Sequence, residues 1–225
     1  MRSDEEIKVD VVKQLQWDLR IDASDVSVQV ADGIVELNGF VPTRSAKTAA
    51  TDDAYVVDGV LTVENHLSVR YPEQRDLPTD EAIRNNIESN IGFNSNLETY
   101  KIDVEAEEKW VTLHGTVSSY WEKVEAEDEA LYVDGVLGIT NELAVVPTGS
   151  FRDEDIAEDV VNALDRNIFV NPNDIDVKVE NGEVTLDGIV GSIRAKNAAY
   201  NSALYTPGVT LVDNQIRVSR ERVPM

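Results

Sequence analysis

Two histidines, His66 and His114, are the only imidazoles in 225 residues, and there is no cysteine. A catalytic base or a metal centre needs such groups converging with partners in a built pocket, and neither histidine stands in a recognisable triad or ligand spacing. Both read as exposed strand-end residues. The missing cysteines exclude a thiolate nucleophile, a disulfide framework and a cysteine-based zinc site. Acidic residues number 43 against 20 basic ones. At that density almost any carboxylate spacing arises by chance, so paired-acid hydrolysis has no specific support. The loop Asn171-Pro172-Asn173-Asp174-Ile175-Asp176 offers oxygen ligands. A calcium loop would need an oxygen where Ile175 stands and a glycine where Asp176 stands, so turn and cap roles account for it better. No catalytic residue, metal or cofactor is specified.

The chemistry that remains is adsorption. Membrane contact needs protruding apolar side chains with cations nearby. Trp17, Phe93 and Phe169 could protrude at or just after a helix end, and the last of these has Ile168 and Val170 beside it and Arg166 close by. The same third of the chain carries Arg194, Lys196, Arg217, Arg220 and Arg222. The competing reading is that these aromatics seal helix to sheet, or one unit to the next. Trp110 reads as core, because Ile34 takes its place in a related segment. A net charge of −23 repels DNA, RNA and strongly anionic bilayers. That charge serves solubility, or else capture of cations or of a basic partner; the acidic run Glu122, Glu125, Glu127, Asp128, Glu129 admits the same two readings.

These residues are positioned by a repeat. Gly39 and Gly59, Gly115 and Gly135, and Gly188 and Gly208 are each 20 residues apart, and an asparagine, Asn65, Asn141 or Asn214, follows each second glycine by six. Successive copies are offset by 76 and 73 residues, so three units of about 70 residues are expected, at 3–71, 79–147 and 152–220. Linkers fall near Tyr71 to Pro78 and Pro147 to Arg152. Units this small have thin cores, so neighbours are expected to pack together.

Each copy opens with an amphipathic helix whose apolar face is Ile7, Val11, Leu15; Ile83, Ile87, Ile91; or Ile156, Val160, Leu164. Ser3 with Glu6 fits a capping box, and Thr79 or Asp80 serves the second copy. A strand follows, beginning Val26, Ile102 or Ile175. Ala31-Asp32-Gly33 and Glu180-Asn181-Gly182 then carry the chemistry of a tight hairpin, whereas Glu108-Lys109 predicts a looser one. The return strand ends at the first glycine, where the backbone bends or another element comes close. A second helix carries Ala46, Ala50, Ala54; Glu122, Ala126, Ala130; or Ala195, Ala199, Ala203. The second glycine is expected to end that helix as a left-handed cap, before a last strand over 60–69, 136–145 or 209–218. The fold class is α+β: α-β-β-α-β units, each a three-stranded mixed sheet covered on one face by two helices.

The strand Val35-Glu36-Leu37-Asn38-Gly39 with its copies, and Val-Asp-Gly-Val at 57–60 and 133–136 followed by Val-x-Asn or Ile-x-Asn, resemble the BON domain family, three times over nearly the whole chain. Thr206-Pro207-Gly208-Val209 departs by losing the acidic residue. The resemblance implies a bacterial osmotic-stress and cell-envelope protein without enzymatic activity, associated with phospholipid or an envelope partner; some relatives are cytoplasmic and bind cations. No stretch approaches a membrane span and no secretory signal precedes the first helix. As written the chain reads as cytoplasmic; one whose leader had been removed would be periplasmic. Beside lipid binding stand a structural role with homo-oligomers or a protein client, and a soluble cation-binding role.

Overall fold

Period-two alternation places Val35 and Leu37 on one face of a strand, and Ile7, Val11 and Leu15 recur at helical spacing; in the computed structural model all five are buried together. The structure describes residues 2–70, 77–97 and 101–219. The ends of the first and third expected units at 71 and 220, most of the first linker, and Arg220 and Arg222 lie outside them. The chain falls into two compact units, residues 1–90, 104–112 and 128–140, and residues 91–103, 113–127 and 141–225. Copy one lies wholly in the first and copy three wholly in the second.

Copy one runs α1 (Asp4–Trp17), β1 (Val26–Ala31), β2 (Ile34–Val41), α2 (Arg44–Val56) and β3 (Thr62–Val69). β1 pairs antiparallel with β2, from Val26 opposite Gly39 to Ala31 opposite Ile34, and β3 pairs parallel with β2, giving the order β1-β2-β3. Copy two supplies α3 (Asp80–Phe93), β4 (Ile102–Glu107), β5 (Trp110–Val117), α4 (Tyr120–Leu131), β6 (Gly138–Asn141) and β7 (Ala144–Val145), with β5 central. Copy three supplies α5 (Asp153–Asp165), β8 (Ile175–Glu180), β9 (Glu183–Val190), α6 (Ile193–Leu204), β10 (Leu211–Asn214) and β11 (Arg217–Val218), with β9 central. The fold is thus mixed α/β with three sheets and six helices among the described residues. The expected last strand is continuous only in copy one. In the others it breaks after the repeated asparagine, and the next amide turns to the central strand: Glu142 to Leu113 and Gln215 to Leu186, both at 2.8 Å.

That asparagine ties helix to sheet. Asn65 Nδ2 donates to the Lys47 carbonyl at 2.8 Å and to Thr51 Oγ1 at 2.7 Å, while its Oδ1 accepts the Leu67 amide. Asn141 repeats the first contact with Lys123 at 2.8 Å. The capping box at Ser3 and Glu6 is formed in both directions. In copy two the cap is Thr79, whose Oγ1 accepts the Ala82 amide.

Four expectations are corrected. The hairpin of copy two is as tight as the others: Glu108 and Lys109 take φ of 48° and 66°, the left-handed pair of a two-residue turn. The second glycines do not cap the helices, which end at Val56, Leu131 and Leu204. They occupy the third position of a following β-turn closed by Val60 to Val57, Val136 to Val133 and Val209 to Thr206, with φ of 96°, 94° and 86°. A type II turn wants glycine there and favours proline just before it, which is why Pro207 replaces the aspartate without disturbing copy three. Trp110 is not core but 53% exposed. Its position shares the parity of Thr112 and His114, on the face opposite Val111 and Leu113. The indole lies across Gly138 and donates to Thr140 Oγ1 at 3.0 Å. His66 and His114 likewise sit within β3 and β5 rather than at strand ends.

One polar group breaks the core of copy one. Asp53 is buried on α2; its Oδ1 accepts from Gln14 Nε2 at 3.2 Å, and its Oδ2 has no hydrogen-bond partner. Burial pushes its pKa up from the ordinary 3.8. A raised carboxylate pKa means that the folded state binds the proton more tightly. The cost of ionisation is therefore present at neutral pH and vanishes as pH falls through the raised value toward 3.8. Asp53→Asn is expected to stabilise the protein by about 1 kcal/mol at neutral pH. Denaturant melts should show the gain fading as pH falls toward about 4 and absent well below it, where the wild-type group is neutral in both states.

Candidate functional site

The turn after the first helix is built the same way in each copy. Asp18, Asn94 or Asn167 accepts on its side chain the amide two residues on, Arg20 at 2.8 Å, Asn96 at 3.1 Å or Phe169 at 3.1 Å. Its carbonyl accepts the amide three residues on, from Ile21, Leu97 or Val170. Those three apolar residues are buried and anchor the turn. The two residues between them form an outward tip, an Asx-turn geometry. The tip is Leu19-Arg20 in copy one, Ser95-Asn96 in copy two and Ile168-Phe169 in copy three.

Ile168 is 89% exposed and Phe169 49%. The Arg194 guanidinium carbon, on α6, lies 5.1 Å from the Phe169 ring centroid, within cation–π range. Arg166, just past the end of α5, lines a groove of 460 Å³ between α5 and α6 with Asp159, Asn167, Asn201, Ser202 and Tyr205. Four of the seven adsorption candidates, Arg166, Ile168, Phe169 and Arg194, thus share one end of copy three. The remaining three do not join them. Trp17 and Phe93 are exposed but belong to the other copies, at the helix-end position that Arg166 fills in copy three. Lys196 is two positions beyond Arg194, roughly 200° around the helix. Its counterparts are Lys47 and Lys123, and Lys123 Nζ donates to the Leu143 carbonyl at 2.8 Å, a helix-to-sheet contact.

Leu19, the counterpart of Ile168, is fully exposed and was hidden from the sequence reading because only aromatics were followed there. Its neighbour Arg20 is engaged: both carboxylate oxygens of Asp18 accept from it, which holds the Asp18 pKa down at about 2. Copy two offers a polar tip. Among the described residues no group of three or more His, Asp or Glu could hold a metal ion, and no helix is long and apolar enough to cross a membrane.

A second feature recurs in all copies and went unread in the sequence. The first residue of each opening helix, Asp4, Asp80 or Asp153, accepts both amides of the hairpin turn 28 and 29 residues later. The distances are 2.8 and 3.0 Å to Asp32 and Gly33, 2.9 and 2.9 Å to Glu108 and Lys109, and 2.8 and 2.9 Å to Asn181 and Gly182. The constant spacing was its visible signal.

Osmotically-inducible protein Y of Escherichia coli (strain K12) is 30% identical over 126 residues, which cover 55% of this chain and 63% of that protein. Solved structures of CdsD, a structural protein of the type III secretion system of Chlamydia trachomatis, align over 95% of this chain and 92% of theirs at 15% identity with a TM-score of 0.26. For its C-terminal domain the figures are 97%, 98%, 17% and 0.25, a likeness too low to bear on fold or function. The BON domain pattern matches residues 3–71, 79–147 and 152–220. The chain belongs to the BON domain family, which it carries three times in tandem.

Proposed function

We propose that this is a non-enzymatic protein of the osmotic-stress and cell-envelope type that adsorbs to phospholipid surfaces through copy three, each matched segment acting as one domain. The observation that carries the reading is the Ile168-Phe169 tip, exposed on an anchored turn with Arg194 against the ring. Burying these two side chains in the interfacial region is worth about 2 to 4 kcal/mol, with Arg166 and Arg194 placed to meet phosphate. The remaining charge opposes contact with anionic lipid, by about 1 kcal/mol for each acidic group brought near such a surface. The name of the Escherichia coli relative supports the stress setting.

Two consequences separate this reading from simple charge attraction. Flotation with liposomes should be stronger on zwitterionic than on anionic vesicles at low salt, and added salt should narrow the difference. Phe169→Ala and Arg194→Glu should each weaken binding by about tenfold or more. An absence of flotation on both lipids at either salt would rule out lipid adsorption and leave an envelope protein as the partner.

A further inference from the structure

The groove between α5 and α6 of copy three is open because two side chains there are small. In copy one the same position is bridged: Gln14 on α1 donates to Asp53 on α2 at 3.2 Å. In copy two Asn90 on α3 donates to the Glu129 carbonyl of α4 at 3.4 Å. Counted from the first glycine of each pair, the copy-three residues are Ala163 and Ser202. Neither reaches the facing helix, since Ser202 turns its hydroxyl back to the Ala198 carbonyl at 2.8 Å. The 460 Å³ left open is in the range of small-molecule sites.

Both signs of charge line this space. Asp159 and Arg166 are seven residues apart, so they share one face of α5 and stand about 10 Å apart along its axis. Both are exposed, and among the described residues no ion pair or hydrogen bond engages either side chain. The copy-one counterpart of Asp159 is Asp10, which is paired with Arg2 and Lys13. Further donors come from Asn201 and from Asn167, whose Oδ1 already accepts the Phe169 amide and whose amide nitrogen is left for a ligand. Tyr205 is the one aromatic among the lining residues, too few for the cage that holds a quaternary ammonium.

We infer that this groove binds a phosphate ester carrying a primary ammonium, and that on a membrane it selects the ethanolamine headgroup beside the inserted Ile168-Phe169 tip. The membrane part rests on the adsorption reading given above. Arg166, Asn167 and Asn201 donate to the phosphate oxygens, and Asp159 accepts from the ammonium. A phosphate and an ammonium joined by two carbons, with a hydrogen bond of about 2.8 Å at each end, span the separation of the two charged residues. A choline headgroup has no N–H to offer Asp159. A headgroup with phosphate and no amine leaves Asp159 unpaired near a like charge.

The test uses the intact protein in two arms. In the first, it is titrated with phosphatidylcholine vesicles with and without phosphatidylethanolamine. In the second, glycerophosphoethanolamine, glycerophosphocholine and inorganic phosphate are added without vesicles, and amide chemical shifts are followed. Ethanolamine lipid should strengthen vesicle binding by about threefold or more. Asp159→Asn, which removes the ammonium's partner, and Ala163→Gln, which restores a side chain long enough to bridge the helices, should each abolish that preference. Glycerophosphoethanolamine should move the Asn167 and Asn201 resonances more than the other two solutes do. If no vesicle binds but glycerophosphoethanolamine alone shifts these resonances, the adsorption reading falls and the groove serves a soluble ester of the same chemistry. Vesicles bound equally, a preference that survives in both variants, or an equal response to the two soluble esters would each overturn the inference; the first two leave adsorption through the tip standing.

Discussion

Gly39→Ala should cost copy one about 3 to 5 kcal/mol, enough to remove most of its stability. A Cβ at this position would lie 1.9 Å from the Asp25 carbonyl oxygen, with the backbone at φ +122°, where side chains are strained even in open space. The obstacle is main chain, so no rotamer change relieves it. The turn before β1 must retreat from β2, and the pairing of Val26 with Gly39 is lost with it. Gly115 and Gly188 face the same obstacle, at 2.0 Å from the Lys101 oxygen and 2.1 Å from the Asp174 oxygen, so alanine there should act alike on copies two and three. Gly191→Ala is the matched control: a Cβ there meets nothing within 4 Å, and its effect should stay within about 0.5 kcal/mol. Hydrogen exchange resolved by copy would read the difference. Equal protection in Gly39→Ala and Gly191→Ala would refute the close-approach account.

Asp80→Ala should destabilise copy two by about 2 to 3 kcal/mol. It removes two charge-assisted hydrogen bonds from amides whose turn holds neither asparagine nor glycine. Left-handed backbone at Glu108 and Lys109 costs about 1 kcal/mol or more at each residue, and the aspartate offsets that cost. In copy three the turn is Asn181-Gly182, which adopts the same shape with less strain, so Asp153→Ala should cost about 1 kcal/mol less than Asp80→Ala. Asp80→Asn keeps one acceptor oxygen and should fall between. Chemical denaturation of the three variants would check the order, and a smaller loss at Asp80 than at Asp153 would contradict it.

That contrast also shows where the sequence was readable. Helix faces and alternating strands were, because Ile7, Val11, Leu15 and their counterparts repeat a burial period that local spacing dictates. The copy-two hairpin was misjudged because turn residues were read alone, whereas its conformation is held by Asp80, far away in sequence. Trp110 was misplaced for a related reason. Substitution by an apolar residue in another copy does not reveal which face a strand position occupies, and the parity of Val111 and Leu113 does. At the candidate site the sequence located the turn but misaligned it. Counted from the first glycine of each pair, Phe169 corresponds to Arg20 and Asn96, and Arg166 corresponds to Trp17 and Phe93. Lys196 stands where copy two has Lys123, whose charge goes to a helix-to-sheet contact, an equivalence that reading the position as a surface cation overlooked.

The central functional claim is that the copy-three tip enters lipid, and the absence of native cysteine makes it directly measurable. An Ile168→Cys chain carrying an environment-sensitive fluorophore would be titrated with zwitterionic vesicles beside a Ser95→Cys chain labelled at the equivalent tip of copy two. The account predicts a blue shift for the label at 168 and none at 95. No shift at 168, or equal shifts at both, would contradict it.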